Sequence, residues 1–327
     1  MTAGDGREQL THVRDRVQAR VVGRERELGL VLAAVAAGRD ILLEGPPGTS
    51  KTTILKAITA EWGIPLVFVE GNADLTPAKL VGHHNPARVL REDYTEANFV
   101  DGPLLEAMRN GGFLYIEEFN RAPEDTLNTL LTAMAERRIA VPRAGEVTAR
   151  DTFRVVASMN PYDNVGTTRL STSVHDRFCR LAIDYQDEQA ERGIVALRAP
   201  VGDLKPAAYE RLAADAVALT RATRRHEDIR QGSSVRGAID LTLVAGQLFN
   251  LDSERTRDVA HDEQAYREVV YDAMVVALSG RIFLDEAAGT TPERVLRQIW
   301  EDHFGGLRGV VPPGKQSVFG PAAAAPG

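Results

Sequence analysis

Three short runs hold the residue types that could do chemistry. Arg39 to Thr53, RDILLEGPPGTSKTT, carries an apolar segment into a Gly/Pro loop that ends in Lys-Thr. In such a loop, spanning Gly45, Pro46, Pro47, Gly48, Thr49 and Ser50, the N–H groups of the non-proline residues turn toward an anion. The next helix, from Thr52 and Thr53 onward, adds the positive end of its dipole. Lys51 supplies a mobile point charge suited to β and γ phosphates, and the Thr52 hydroxyl supplies a ligand for Mg²⁺. The second run, Gly111 to Glu118 (GGFLYIEE), closes an apolar strand with two carboxylates. Beside a phosphate loop, Glu117 is suited to the water shell of Mg²⁺ and Glu118 to polarising an attacking water. In the third run, VVASMN, Asn160 stands at another strand tip, where an amide can contact the γ-phosphate or the lytic water.

Each run also has a plainer reading: a Gly/Pro turn before an ordinary helix, two solvated acids in a strand-to-helix turn, a turn-forming amide. Ser50 stands where the pattern G-x-x-x-x-G-K-[ST] has its second glycine. The expectation is that it takes ordinary helical dihedrals at the helix entrance, where serine is favoured. Arg177, in LSTSVHDRF, reads either as an arginine facing the nucleotide of a neighbouring subunit or as the partner of Asp176 in a surface pair. Arg236, in GSSVRGA, either folds over the phosphates or pairs with an acid. Val21, Val22 and Gly23 either line an adenine or pack as core. Asn72 orients a carboxylate or forms a turn. Adjacent His83 and His84 fall on opposite sides of an extended chain with no spaced third ligand, so metal binding is not expected there.

The elements that must position these residues are set by apolar spacing. Short apolar runs predict parallel strands at 41–43, 65–70, 111–118 and 153–158, alternating with helices over 21–37, from 52 onward and over 122–138. The stretch 74–104 is too long for a simple connection and reads as an inserted hairpin. A second hairpin turns at Ala144-Gly145-Glu146. Beyond Asp184 the pattern is helical: 207–225, 235–250, 265–284 and 292–303, with a linker at 200–205. The fold class is α/β, a parallel sheet followed by a smaller all-α region. The expected domains are an N-terminal helical segment at 1–20, a nucleotide-binding core at 21–186, a helical lid at 187–304 and a Gly/Pro/Ala-rich unfolded tail at 305–327.

Composition bounds the function classes. The 327 residues are 43% apolar and 26% charged, enough for a large core and a smaller one, and the formal charge of −7 argues against nucleic acid as the main partner. The single Cys179 excludes an internal disulfide. No apolar run approaches the roughly 20 residues of a membrane span, and the amino end lacks a basic-then-apolar signal, so a cytoplasmic location is expected.

The order GPPGTSKT, a long insertion after the second strand, FLYIEEFNRAP, a hairpin, VVASMNP, STSVHDRF and GSSVRGA resembles the MoxR-type AAA+ ATPases, the helix-2-insert group related to the magnesium-chelatase ATPase subunit. The resemblance spans about 21–240. It implies an AAA+ P-loop core with ATP and Mg²⁺, a Walker A at 45–52, a Walker B at Glu117 and Glu118, sensor 1 at Asn160, an arginine finger at Arg177 and sensor 2 at Arg236. It further implies a helix-2 insert at 74–102 and a pre-sensor-1 hairpin at 138–151. Function and partners implied are those of an ATP-hydrolysing homo-oligomer, often hexameric, that remodels a client or helps install a metal or cofactor beside a protein with a von Willebrand factor A domain. Glu117 replaces the usual Walker B aspartate, and its longer side chain must retract to keep the Mg²⁺ water shell in place. The alternatives are a DNA-acting AAA+ ATPase of helicase or clamp-loader type, for which a basic channel is expected, and a small-molecule P-loop kinase, which needs no helical lid.

Overall fold

The computed structural model describes residues 3–18, 20–92, 94–141, 143, 145–161, 170–202, 204–251 and 262–305. In chain order, α1 (Ala3–Gln18) and α2 (Glu25–Ala36) precede β1 (Ile41–Glu44), α3 (Lys51–Trp62) and β2 (Leu66–Glu70). Then come α4 (Pro77–Val81), β3 (Gly82–His84), α5 (Pro86–Glu92), β4 (Phe99–Asp101) and α6 (Pro103–Asn110). The next stretch holds β5 (Phe113–Glu117), α7 (Glu124–Glu136), β6 (Arg138–Val141), β7 (Gly145–Thr148), β8 (Arg154–Met159), α8 (Thr172–His175) and β9 (Cys179–Ala182). The remainder is α9 (Glu188–Arg198), α10 (Pro206–Ala222), β10 (Ile229–Gln231), α11 (Val235–Leu251), α12 (Glu263–Leu278), β11 (Phe283–Leu284) and α13 (Pro292–Phe304).

Five strands form one parallel sheet in the order β2-β5-β8-β1-β9. Register brings the strand ends level: Glu70 lies opposite Glu117, and Glu44 opposite Met159 and Ala182. All carboxyl tips therefore meet at one edge, where ligands bind in open α/β sheets. Side chains alternate between the two faces. Ile41, Leu43, Phe113, Tyr115 and Val156 pack with α1, α2 and α3, whereas Leu42, Leu114, Ile116, Val155 and Ala157 pack with α6 and α7. In α3, Ile54, Leu55 and Ile58 are fully buried. At roughly 1.5 to 3 kcal/mol each, they fix the helix whose first residues are Lys51 and Thr52.

A separate apolar core unites α9 to α13. Four of these helices match the predicted spacing, but the last turns of 265–284 do not: α12 stops at Leu278, and Phe283–Leu284 pairs antiparallel with β10. Both strands are too short to register as a pattern, and α9 begins too soon after β9 to stand out. In the insertion, β3 and β4 pair antiparallel as expected, with α5 lying between them. In the second hairpin Gly145 already pairs with Val141, so the turn falls before it. Ala144, and the expected tail beyond Gly305, lie outside the described residues. Among the described residues no helix is long and apolar enough to cross a membrane.

Candidate active site

The loop between β1 and α3 is built by close approach. A Cβ at Gly45 would lie 1.9 Å from the Ile183 carbonyl oxygen. One at Gly48, where φ is +76°, would lie 2.4 Å from Ser234 Oγ of the helical region. Thr49 Oγ1 donates to the Pro46 carbonyl at 2.9 Å. Lys51 folds back and donates from Nζ to the carbonyls of Gly45 (2.7 Å) and Pro46 (2.9 Å). Burial pushes its pKa down to about 8 against the pull of Glu117 and Glu118, and Arg236 and Arg24 add to the depression.

Ser50 corrects the expectation drawn from sequence. Its φ is +68°, in the left-handed region, not the helical one. The glycine of the usual pattern is there to reach that conformation at no steric cost, and a serine carries roughly 1 to 2 kcal/mol of strain in its place. Its side chain makes no cap hydrogen bond to the helix; Ser50 Oγ instead accepts from Gln186 Nε2 at 3.3 Å.

Strand parity puts Glu117 on the same face of β5 as Tyr115, toward α3. Thr52 Oγ1 donates to Glu117 Oε1 at 2.9 Å. The Tyr115 hydroxyl lies 3.1 Å from Thr52 Oγ1, 2.9 Å from Ser158 Oγ and 3.4 Å from Glu117 Oε1. Burial pushes the Tyr115 pKa up to about 12. Thr52 and Glu117 thus present an adjacent hydroxyl and carboxylate, hard oxygens of the kind Mg²⁺ takes together with waters and phosphate oxygens. Glu118, one residue on, leaves the strand with φ +54° and ion-pairs with Arg121 Nε at 3.1 Å.

One cleft of about 280 Å³ collects Pro47 to Thr53, Glu70, Glu117, Glu118, Ser158, Asn160 and Arg236. Sequence elements far apart meet there: the phosphate loop, the tips of β2, β5 and β8, and the first turn of α11. Arg177 is elsewhere. It is exposed just ahead of β9, donates to the Ser173 carbonyl at 3.0 Å, and pairs with no carboxylate among the described residues, Asp176 included. Val21 is buried in the core, and Val22 and Gly23 lie against α9, where a Cβ at Gly23 would meet Ala190. Asn72 forms a turn, its Oδ1 accepting from Asp74 N at 2.9 Å. His84 packs edge-on against Tyr94 and Phe99, and no metal-type cluster occurs among the described residues.

Sequence reasoning missed Ser158 and Glu70 in the cleft, Tyr115 buried behind Thr52 and Glu117, and Arg24 and Gln186 beside it. Arg24, 3% exposed, donates to the Asp184 carbonyl (2.5 Å) and Gln186 Oε1 (3.1 Å). Burial lowers its pKa. Only Tyr115 left a usable signal, a polar tip two residues before Glu117 and hence on its face.

A sequence profile of the AAA domain (dynein-related subfamily) matches residues 40–178, from the loop strand through Phe178. An uncharacterized protein of Staphylococcus haemolyticus is 30% identical over 206 residues, which are 62% of this chain and 77% of that protein. The chain belongs to the AAA+ ATPases. Among other AAA+ comparisons, the gas vesicle ATPase GvpN of Ancylobacter aquaticus is 27% identical over 285 residues, 82% of this chain and 73% of GvpN. A RuvB variant of Thermotoga maritima, a solved structure, is 20% identical over 78% of this chain and 70% of its own, with a TM-score of 0.49.

Proposed function

We propose that this AAA+ protein is a MoxR-type ATPase that hydrolyses ATP in a homo-oligomeric, hexameric ring in the cytoplasm. There it remodels a client protein or assists metal or cofactor insertion, with a von Willebrand factor A protein as adaptor. The observation that carries the reading is the convergence of Lys51, Thr52, Glu117, Glu118, Asn160 and Arg236 on one cleft. The net charge of −7 weighs against DNA as the object of the work.

In this reading Thr52 and, through a water shell, Glu117 would hold Mg²⁺, which would supply positive charge beside the phosphates. Lys51 exchanges its two loop carbonyls for phosphate oxygens. Backbone N–H groups of 48–52 and the start of α3 face the same phosphates. Glu118 orients a water and takes up its proton, Asn160 holds the water or the γ-phosphate, and Arg236 brings the helical region onto the nucleotide. Arg177, exposed and away from its own cleft, acts on the nucleotide of the next subunit. The test is Glu118→Gln: ATP affinity by calorimetry stays within about twofold, while turnover drops on the order of 10² to 10⁴, the usual contribution of a positioned base. Unchanged turnover would remove Glu118 from the chemistry, and a wild type that binds no ATP would remove the reading.

The likeness to GvpN, over 82% of this chain, favours a second reading in which the client belongs to a gas vesicle. Loss of vesicles on deleting the gene from a vesicle-forming host would support it.

A further inference from the structure

Glu117 raises a positional problem, since a glutamate reaches one methylene further than the aspartate that the resembled site carries. The hydroxyls behind it offer a solution. Ser158 Oγ, Tyr115 Oη, Thr52 Oγ1 and Glu117 Oε1 stand in sequence at 2.9, 3.1 and 2.9 Å. Each hydroxyl has one proton to give and can accept twice. The row is satisfied when Ser158 donates to Tyr115, Tyr115 to Thr52 and Thr52 to the carboxylate. Such a chain strengthens each of its members and leaves one lone pair on Thr52 Oγ1 for a cation. At 3.4 Å from Glu117 Oε1, Tyr115 Oη can share that one proton between Thr52 Oγ1 and the carboxylate, a three-centre bond that ties both to the tyrosine.

Tyr115 comes from the middle of β5 and Ser158 from β8, so the row is anchored in the paired strands of the sheet rather than in the loop. The tyrosine ring is fully buried and meets Phe68 edge-on with centroids 5.7 Å apart. A phenylalanine would fill that space equally well. The hydroxyl is therefore separable from the packing.

We propose that Tyr115, backed by Ser158, is a positioning residue for the cation site: its hydroxyl holds Thr52 and the long Glu117 side chain in the arrangement that receives Mg²⁺ with a nucleotide. This rests on reading Thr52 and Glu117 as the cation-holding pair. The measurement is binding of a fluorescent ATP analogue to the full chain as Mg²⁺ is titrated, beside binding in EDTA and the melting temperature. Tyr115→Phe raises the Mg²⁺ concentration for half-maximal binding about 3- to 10-fold, the usual worth of one hydrogen bond in such a site. It leaves binding in EDTA unchanged. Ser158→Ala moves the same midpoint in the same direction by less. In a Glu117→Asp background, where the shorter carboxylate no longer reaches the tyrosine, Tyr115→Phe shifts the midpoint less than twofold. An unmoved Mg²⁺ midpoint in Tyr115→Phe overturns the proposal, even if turnover falls, and so does a shift of equal size in the wild-type and Glu117→Asp backgrounds. If wild type binds the analogue with no Mg²⁺ dependence, the cation-pair reading fails and takes this inference with it.

Discussion

The phosphate-loop cleft at the carboxyl edge of the sheet and the helical region beyond it hold buried charge in opposite ways. At the edge, Lys51 rests on the carbonyls of Gly45 and Pro46, and Glu117 on the hydroxyls of Thr52 and Tyr115. Every partner is neutral and can be given up to a phosphate or a cation. In the helical region Glu191, 1% exposed, is locked between Arg221 (3.0 Å) and Arg224 (2.8 Å). Asp215 accepts from the Tyr266 hydroxyl (2.6 Å) and lies 2.9 Å from His303 Nε2. Burial would raise the Asp215 pKa, but these contacts and Arg211 hold it below the usual carboxylate range. The difference separates charge kept available from charge committed to structure. Glu118 stands between the two: its partner Arg121 is a charge, but the pair is a third or more exposed, worth under about 1 kcal/mol and easily released.

The largest expected effect extends the comparison across the proposed subunit boundary. Arg177 also rests on a neutral partner, the Ser173 carbonyl, and is therefore available. Arg177→Ala should assemble and bind ATP as wild type does while losing about 10³ to 10⁵ in turnover, the contribution of a finger that acts on the transition state. Mixing it with Lys51→Ala, which loses its phosphate contact, should restore part of the activity, because some interfaces then pair an intact loop with an intact finger. Absence of recovery in co-assembled rings would count against action in trans.

Next comes the committed charge. Glu191→Ala should lower unfolding free energy by about 3 to 5 kcal/mol, since it strands two partly buried guanidinia, and should leave the ATP affinity of the remaining folded protein near wild type. Chemical denaturation measures the first and calorimetry the second. A stable Glu191→Ala protein with weakened nucleotide binding would reverse the assignment of this region.

The smallest effect concerns strain at the edge itself. Ser50→Gly relieves a left-handed serine but gives up the 3.3 Å contact with Gln186 and adds backbone freedom to the unfolded chain. The net expectation is a gain of about 0.5 to 1 kcal/mol, a shift of a few degrees in melting temperature. A loss would make the Gln186 contact the stronger of the two.

The loop lysine, the paired glutamates and the tip asparagine were legible because spacing along the chain encodes them, and register along parallel strands then brings them to one edge. Ser50 was misread since a residue pattern carries no dihedral angle; only the missing glycine hinted at one. Tyr115 and Ser158 were hidden inside strands that read as apolar core, where a hydroxyl's partner is decided by cross-strand register and not by its neighbours in sequence. Arg236 was visible as a candidate, but its arrival in the cleft depends on Ser234 seating against Gly48, a contact spanning most of the chain. The β10–β11 pair was too brief to leave a period.

Strand β5 turns Phe113, Tyr115 and Glu117 to the α3 side and Leu114 and Ile116 to the other. Its spelling can drift, within the limits of packing, but its length cannot. A single inserted or deleted codon between Phe113 and Glu117 would invert the parity of the rest of the strand, setting an acid against the apolar layer of α6 and α7 and an isoleucine-like side chain before Thr52. In lineages of this protein, insertions and deletions should therefore collect in the stretch between β3 and β4 and spare β5, a pattern visible in gene sequences without any assay.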